Sequence, residues 1–485
     1  AVIKSYDSCR DKKKRRSNMA ANTKTNVKPF GMADKIGYAL GDFGNDFTFM
    51  LSSMFMMKFY TDVMGVAPAI VGFLMMAARF VDAVTDVTMG QIVDRSKSTR
   101  DGKFKPWIRR MCGPLGIAAF LIFQSGFAGM PMGFKIFWMF FTYLLWGSIF
   151  YTSVNIPYGS MASAVSSDPN DRAQLSTFRT IGATMASLVI GTGTPMIAYE
   201  TVNGATVLVG SRMTIIAGVF AACGIICHLL CFQLVTERVE VPQNTSKLDV
   251  GKMIKSIVSN RALLGIIAAA IMLLLGMLGM SGMAPYVFPV YYNSASAQSM
   301  SSLASNLCVL FICAPFAAKI AAKVGKKEMS VVSCLFGAAV WLVCLVVRPQ
   351  NAMVFVAFYA VSYIGLGMFN TVIWAMITDV IDDAEVKNGV REDGTIYSVY
   401  SFARKLGQAL SSGMIGGLMT MIGYTDAVAA SPSSYPEILG NIFNLSCIIP
   451  AIGLIAVALA LLFIYPLTKN KVEANVAELA KRRKK

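Results

Sequence analysis

Twelve apolar segments follow one another along the chain, at residues 35–60, 68–93, 111–130, 136–162, 175–200, 212–235, 262–291, 297–320, 328–347, 352–380, 394–423 and 439–466. Each reaches the ~20 residues that a helix needs to cross the hydrocarbon core of a bilayer. No water enters that core to satisfy backbone N–H and C=O groups, so a spanning segment must close its hydrogen bonds within itself, as a helix. The predicted fold class is therefore all-α: a polytopic membrane protein with twelve transmembrane helices, whose partner is the lipid bilayer. Composition agrees, because 55% hydrophobic and 15% charged residues in 485 lie well away from the ~25% charge of soluble domains.

The distribution of basic residues sets the orientation. Of the 44 Lys and Arg residues, only Lys58, Lys135, Arg212 and Arg348 fall on one side of the membrane. Arg79, Arg179, Arg404 and Lys405 fall within spans, and all the rest share the side of the two termini. That asymmetry predicts cytoplasmic termini and multi-pass insertion in the plasma (inner) membrane. The longest internal loop divides the spans six and six. The expected organisation is a basic cytoplasmic tail over 1–34, a six-helix bundle over 35–235, a cytoplasmic linker over 236–261, a second six-helix bundle over 262–466 and a basic tail over 467–485. Two bundles that rock about a site near the midplane form a transporter architecture. A monomer is expected.

Several function classes are excluded. The net charge of +17 is carried by topogenic loops and by runs such as Lys12 to Arg16 and Lys481 to Lys485, which anionic lipid attracts; no nucleic-acid partner is expected. Residues 1–30 hold no compact apolar signal segment. The ten cysteines are scattered, mostly inside spans. Cys223, Cys227, His228 and Cys231 imitate a metal cluster, but thiols at four-residue steps spread over ~12 Å of helix and cannot surround one ion. Gly102, Gly251 and Gly325 precede lysines without completing a phosphate-binding loop, and no loop is long enough to fold as a catalytic domain. The chain is expected to be no enzyme and to carry no cofactor.

Charges inside the second span carry the functional signal. Arg79, Asp82 and Asp86 lie in AIVGFLMMAARFVDAVTDVTMGQIV, where each costs roughly 3 kcal/mol at the bilayer centre and marks an ion or substrate path. Spacings of three, four and seven put all three on one helical face. Two carboxylates and a guanidinium there suggest a cation site, with a purely structural ion-pair network as the alternative. Asn155, Pro157 and Gly159 are expected to interrupt span four, and Gly276 to Pro289 to loosen span seven.

The motifs GDFGNDF (Gly41 to Phe47), FYTDVMG (Phe59 to Gly65), RFVDAVTDVTMGQIVDRSKSTRDGKFKPWI (Arg79 to Ile108), FYTSVNIPYGS (Phe150 to Ser160) and REDGTIYSVYSFARKLGQAL (Arg391 to Leu410) resemble the glycoside-pentoside-hexuronide:cation symporters. These are the melibiose-permease-like branch of the major facilitator superfamily, and the resemblance runs from about residue 34 to 466. It implies the major facilitator fold and uptake of a sugar driven by a monovalent cation, proton or sodium. It assigns Asp82 and Asp86 to the cation site, with Thr152, Asn155 and Lys405 beside them, and Asp46, Asn45, Tyr151 and Arg179 to the sugar site. A sodium ion, if used, would sit at Asp82 and Asp86; no other metal is expected.

Two departures bear on selectivity. Asn155 stands where the melibiose permeases carry a third carboxylate, which weakens the case for a bare sodium ion and favours a proton, for which one carboxylate suffices. Gly159 and Asn370 replace aromatics, so the sugar pocket is remodelled toward a pentoside or hexuronide. Asp42 shares the face of Asp46 and either extends the polar path or caps the helix near water. Arg404 lies about 100° round the helix from Lys405, so only one of them points into the cation site, and Lys405 is the expected one. Asp379, Asp382 and Asp383 read as loop or gate charges; the basic loop from Asp94 to Arg110 either pairs with such acids when the inner gate closes or serves only as a topological anchor. The rival functions are a lysolipid carrier on the same scaffold and a membrane sugar sensor that does not transport.

Overall fold

The computed structural model describes residues 28–239, 260–389 and 393–482. Most of the expected N-terminal tail and linker lies outside them. The described residues build twelve long helices: α1 (Met32–Asp62), α2 (Pro68–Arg95), α3 (Lys105–Ile122), α4 (Met132–Val165), α5 (Pro169–Ala198), α6 (Gly210–Leu234), α7 (Arg261–Tyr291), α8 (Ala295–Val324), α9 (Lys326–Val347), α10 (Ala352–Asn388), α11 (Asp393–Met421) and α12 (Pro436–Ile464). Eight of them, α4 to α10 and α12, are long and apolar enough to cross a membrane by length and composition alone. The other four fall short because of the polar and charged groups they carry, such as Asp42, Asp46 and Lys58 in α1, the Arg79/Asp82/Asp86 set in α2, Lys105, Arg109 and Arg110 in α3, and Arg404 and Lys405 in α11.

Local chemistry starts and stops these helices. The Asp168 carboxylate accepts the Asn170 N–H at 2.8 Å ahead of α5, and the Asn260 side chain accepts the N–H groups of Ala262 and Leu263 ahead of α7, supplying partners that helix N-termini lack. In α4 the irregularity falls not at Pro157 but upstream, as a π-helical stretch over Leu144–Tyr151. Hydroxyls take up carbonyls in that stretch: Thr152 Oγ1 donates to Gly147 O at 3.2 Å and Ser153 Oγ to Ile149 O at 2.6 Å. Span seven ends in a second such stretch, Val287–Tyr291, which follows Pro285 and contains Pro289.

The helices form two bundles, α1–α6 and α7–α12. Within the first, α1 packs on α5 and α6, and α3 on α4 and α6. Within the second, α7 packs on α11 and α12, and α9 on α10 and α12. Between them run α2 against α11 and α5 against α8. The α2–α11 crossing is a backbone contact: a Cβ on Gly72 would lie 2.7 Å from Ser412 O and 2.9 Å from Gly416 Cα. Only glycine permits that approach.

Contacts that join the bundles gather at the face opposite the chain termini. The Lys58 ammonium, near the end of α1, lies 2.5 Å from Asp62 Oδ2 and donates to the Tyr424 hydroxyl at 2.6 Å; Tyr424 in turn donates to Asp62 Oδ1 at 3.0 Å. The ring of Tyr286 from α7 lies 4.6 Å from that ammonium and edge-on to Tyr424. Every member of this cluster is buried. Beside it a β-hairpin, β1 (Tyr199–Val202) and β2 (Ala205–Leu208), turns through Asn203 and Gly204, both at positive φ, the residue pair that such a turn prefers. The hairpin departs from the all-helical expectation and ends α5 at Ala198. Its Thr206 N–H donates to Asn293 Oδ1 at 2.6 Å across the interface.

The other face carries the basic loops. Glu237 caps the loop from Asp94 to Arg110: it accepts the backbone N–H groups of Lys103, Phe104 and Lys105 at 2.7 to 2.9 Å, at the N-terminus of α3, where an anion is favoured. Asp379 pairs with Lys326 at 2.7 Å inside the second bundle. The C-terminal tail folds into α13 (Lys469–Arg482), whose buried Asn475 donates to Asp383 at 3.0 Å.

Candidate functional site

Two carboxylates one turn apart on α2 meet two hydroxyls one turn apart on α4. Ser148 Oγ donates to Asp82 Oδ1 at 2.5 Å and Thr152 Oγ1 to Asp86 Oδ1 at 2.7 Å. Each carboxylate also has a cation. Arg79 Nη1 lies 3.5 Å from Asp82 Oδ2, and Lys405 of α11 forms an ion pair with Asp86 across the bundle interface. The site is thus balanced, two acids against two bases, and one of its ion pairs ties α2 to α11. Phe49 and Tyr143 pack their rings 5.3 and 5.9 Å from the Arg79 guanidinium.

Of the residues expected here, Asp82, Asp86, Thr152 and Lys405 are brought together. Asn155 is not; its carboxamide bonds to neither carboxylate among the described residues. Ser148 was missed by sequence reasoning. Its signal was present, since it precedes the selected Thr152 by one helical turn, but the π-helical stretch that re-aims it leaves no pattern in composition.

The second group lies on α1, α4 and α5. Arg179 Nε donates to Asp42 Oδ1 at 3.0 Å and its guanidinium sits 5.3 Å from the Tyr158 ring, which stacks on Tyr38 at 4.7 Å. Asp42 is therefore the partner of Arg179. Asp46, one turn further along α1, is half-buried and accepts no hydrogen bond from a described residue. Tyr151 stands between the two groups, stacked on Phe49 at 5.6 Å. Asn45 faces the other way: it is buried, with Oδ1 3.1 Å from Nε2 of His228 on α6. The 100° between successive helical residues separates it from Asp46.

Thr371, Trp374 and Thr378, on one stripe of α10, are all exposed, unlike the apolar exposed residues of α9 such as Val332, Leu335, Val343 and Val346.

The sequence model of a family described as MFS/sugar transport protein matches residues 37–469. The chain is 29% identical over 449 residues to the glucuronide carrier protein homolog of Escherichia coli (strain K12), covering 93% of this chain and 95% of that protein. It is 29% identical to the putative glycoside/cation symporter YagG of the same strain, covering 93% and 95%, and 28% identical to the isoprimeverose transporter of Lactiplantibacillus pentosus, covering 89% and 88%. Among solved structures it resembles a D-xylose-proton symporter (TM-score 0.59, 13% identity, 90% and 99% covered) and the nucleoside transporter NupG (TM-score 0.59, 14% identity, 90% and 100% covered). These likenesses are of fold, two six-helix bundles of the major facilitator type.

Proposed function

The chain belongs to the MFS/sugar transport protein family, and we propose that it is a symporter that moves a sugar and a monovalent cation together by alternating access. It is a multi-pass membrane protein, and its basic face is assigned to the cytoplasm of a cell whose plasma membrane it spans. It acts as a monomer. The observation that carries the reading is the Lys405–Asp86 ion pair: the group that would take the coupling ion is also a bond between the bundles.

The coupling ion is a proton. With Arg79 on Asp82 and Lys405 on Asp86, a sodium ion would have to displace a cation and collect several oxygen ligands, of which only two are carboxylates here. A proton on Asp86 needs only one oxygen. It removes the charge that holds Lys405, frees α11 from α2 and so couples ion uptake to bundle movement. The sugar engages Asp46, Tyr151 and Arg179, and an ion and a sugar that favour the same state tighten each other's binding by equal factors. Everted or right-side-out vesicles free of sodium should take up the sugar, lose that uptake to a protonophore and gain nothing from added sodium. Strict dependence on a sodium gradient at fixed pH overturns the proton assignment.

The half-buried Asp46 carboxylate, which accepts no hydrogen bond from a described residue, supports its role as a sugar ligand. Asp46→Ala should weaken sugar binding about ten-fold or more, the loss of hydrogen bonds to a charged group, with ion affinity unchanged. Calorimetric titration of sugar and ion against the same preparation checks this; equal losses of both would indicate a folding defect.

A further inference from the structure

A cavity of about 40 Å³ lies between the bundles, walled by α1 and α2 of the first and by α7 and α11 of the second. About 10–15 Å³ admits one water, so the space takes a monatomic ion and excludes a sugar ring. Met57, Met75, Leu278 and Ile415 give it apolar walls, and Ser53, Arg79, Gln408, Ser411 and Ser412 supply its polar groups. It sits between the Gly72–Gly416 crossing and the Asp82/Asp86 pair, in the half of the molecule away from the termini.

Two buried polar atoms of its lining have no hydrogen-bond partner among the described residues: Nε of Arg79 and Oγ of Ser411. The Arg79 side chain is 12% exposed and Ser411 is 1% exposed. Arg79 turns Nη1 to Asp82 at 3.5 Å; its Nε–H remains, a donor that never accepts. Ser330, Ser412 and Ser446 do what helical serines ordinarily do, each donating to the carbonyl one turn earlier at 2.6 to 3.2 Å. Ser411 does not, so its proton is available to a ligand. The segments outside the described residues all adjoin helix ends at the face of the termini, whereas Arg79 and Ser411 lie in the other halves of α2 and α11.

We propose that this cavity binds a small monovalent anion, chloride, between Arg79 of α2 and Ser411 of α11. A guanidinium edge and a hydroxyl inside apolar walls give two donors whose bonds to an anion are charge-assisted and little screened. Among the described residues no carboxylate lines the cavity to oppose it. Because its two ligands belong to different bundles, the anion binds the arrangement in which α2 and α11 are closed on each other and shifts the protein toward it. The site does not depend on which solute the carrier moves.

Thermal unfolding of the purified full chain tests the site without any sugar, in choline salts at constant ionic strength with gluconate exchanged stepwise for chloride. Chloride should raise the unfolding temperature saturably, and gluconate, too large for the cavity, should not. Ser411→Ala removes one donor to a charged ligand and should raise the half-saturating chloride concentration about ten-fold or more. Its unfolding temperature in gluconate should be no lower than that of the wild type, which shows that it folds. Spin labels at Thr201 and Ser433, on different bundles at the face away from the termini, should report a short distance that gains population with chloride. Equal stabilisation by chloride and gluconate, or an unchanged half-saturating concentration in Ser411→Ala, overturns the anion site. A distance that ignores chloride overturns its role as a bridge between the bundles.

Discussion

Asp82→Asn and Asp86→Asn are each expected to abolish concentrative sugar uptake while leaving sugar exchange measurable. The amide keeps the shape of the side chain and the hydrogen bond from Ser148 or Thr152, but it neither takes a proton near neutral pH nor carries charge. In Asp86→Asn the Lys405 ammonium loses its counter-ion, so the link from α2 to α11 is released permanently rather than on ion binding. The carrier then equilibrates sugar and no longer couples its movement to the ion gradient. Asp82→Asn instead strands the Arg79 guanidinium, whose remaining neighbours include the Phe49 and Tyr143 rings. Exchange survives because Asp46, Tyr151 and Arg179 are untouched. Counterflow and gradient-driven uptake in the same proteoliposomes separate the two activities. Accumulation against a gradient at the wild-type level in both variants would remove these carboxylates from the ion site.

Lys58→Met should shift the protein strongly toward the state open at the face opposite the termini. In the closed state the Asp62 carboxylate is buried with Lys58 and the Tyr424 hydroxyl. Removing the cation strands a buried charge at a cost of about 3–5 kcal/mol, a factor of roughly 100 or more in population. Opening hydrates Asp62 and relieves the penalty, so the cost falls on the closed state alone. Spin labels at Thr201 on the hairpin and Ser433 before α12 should report a longer distance in the variant by pulsed electron resonance. Lys58→Met combined with Asp62→Asn leaves no charge behind and should restore the short distance. An unchanged distance in the single variant would show that the cluster does not hold this face shut.

The membrane helices and the α2 charges were legible because both rest on local pattern: apolar length for the spans, and charge at helical spacing inside one of them. What stayed hidden depends on partners distant in the chain or on small rotations. Asp42 and Asp46 share a helical face, so spacing could not decide which meets Arg179. Asn45 is one residue from Asp46, yet a single step turns it toward His228. Lys58 reads as a loop charge at the edge of a span, because its partners Tyr286 and Tyr424 lie more than 200 residues away. The hairpin had a local signal in Asn203 and Gly204, but apolar length carried the fifth span into the first half of its first strand. Ser148 required the widened turn of α4, which residue type does not announce.

The Gly72–Gly416 contact makes the α2–α11 crossing a fulcrum, with the proposed ion site out on the lever arm. At 1.5 Å rise per residue Asp86 lies ~21 Å from Gly72, so a tilt of about 10° at the crossing moves its carboxylate by roughly 4 Å relative to α11. Lys405 rides on the other arm, so that movement suffices to part the ion pair. Asp82 and Arg79 sit on the same arm and keep their separation at any tilt. Of two carboxylates one turn apart, Asp86 therefore works as a strain gauge for the angle between the bundles, while the Asp82–Arg79 pair turns as one piece.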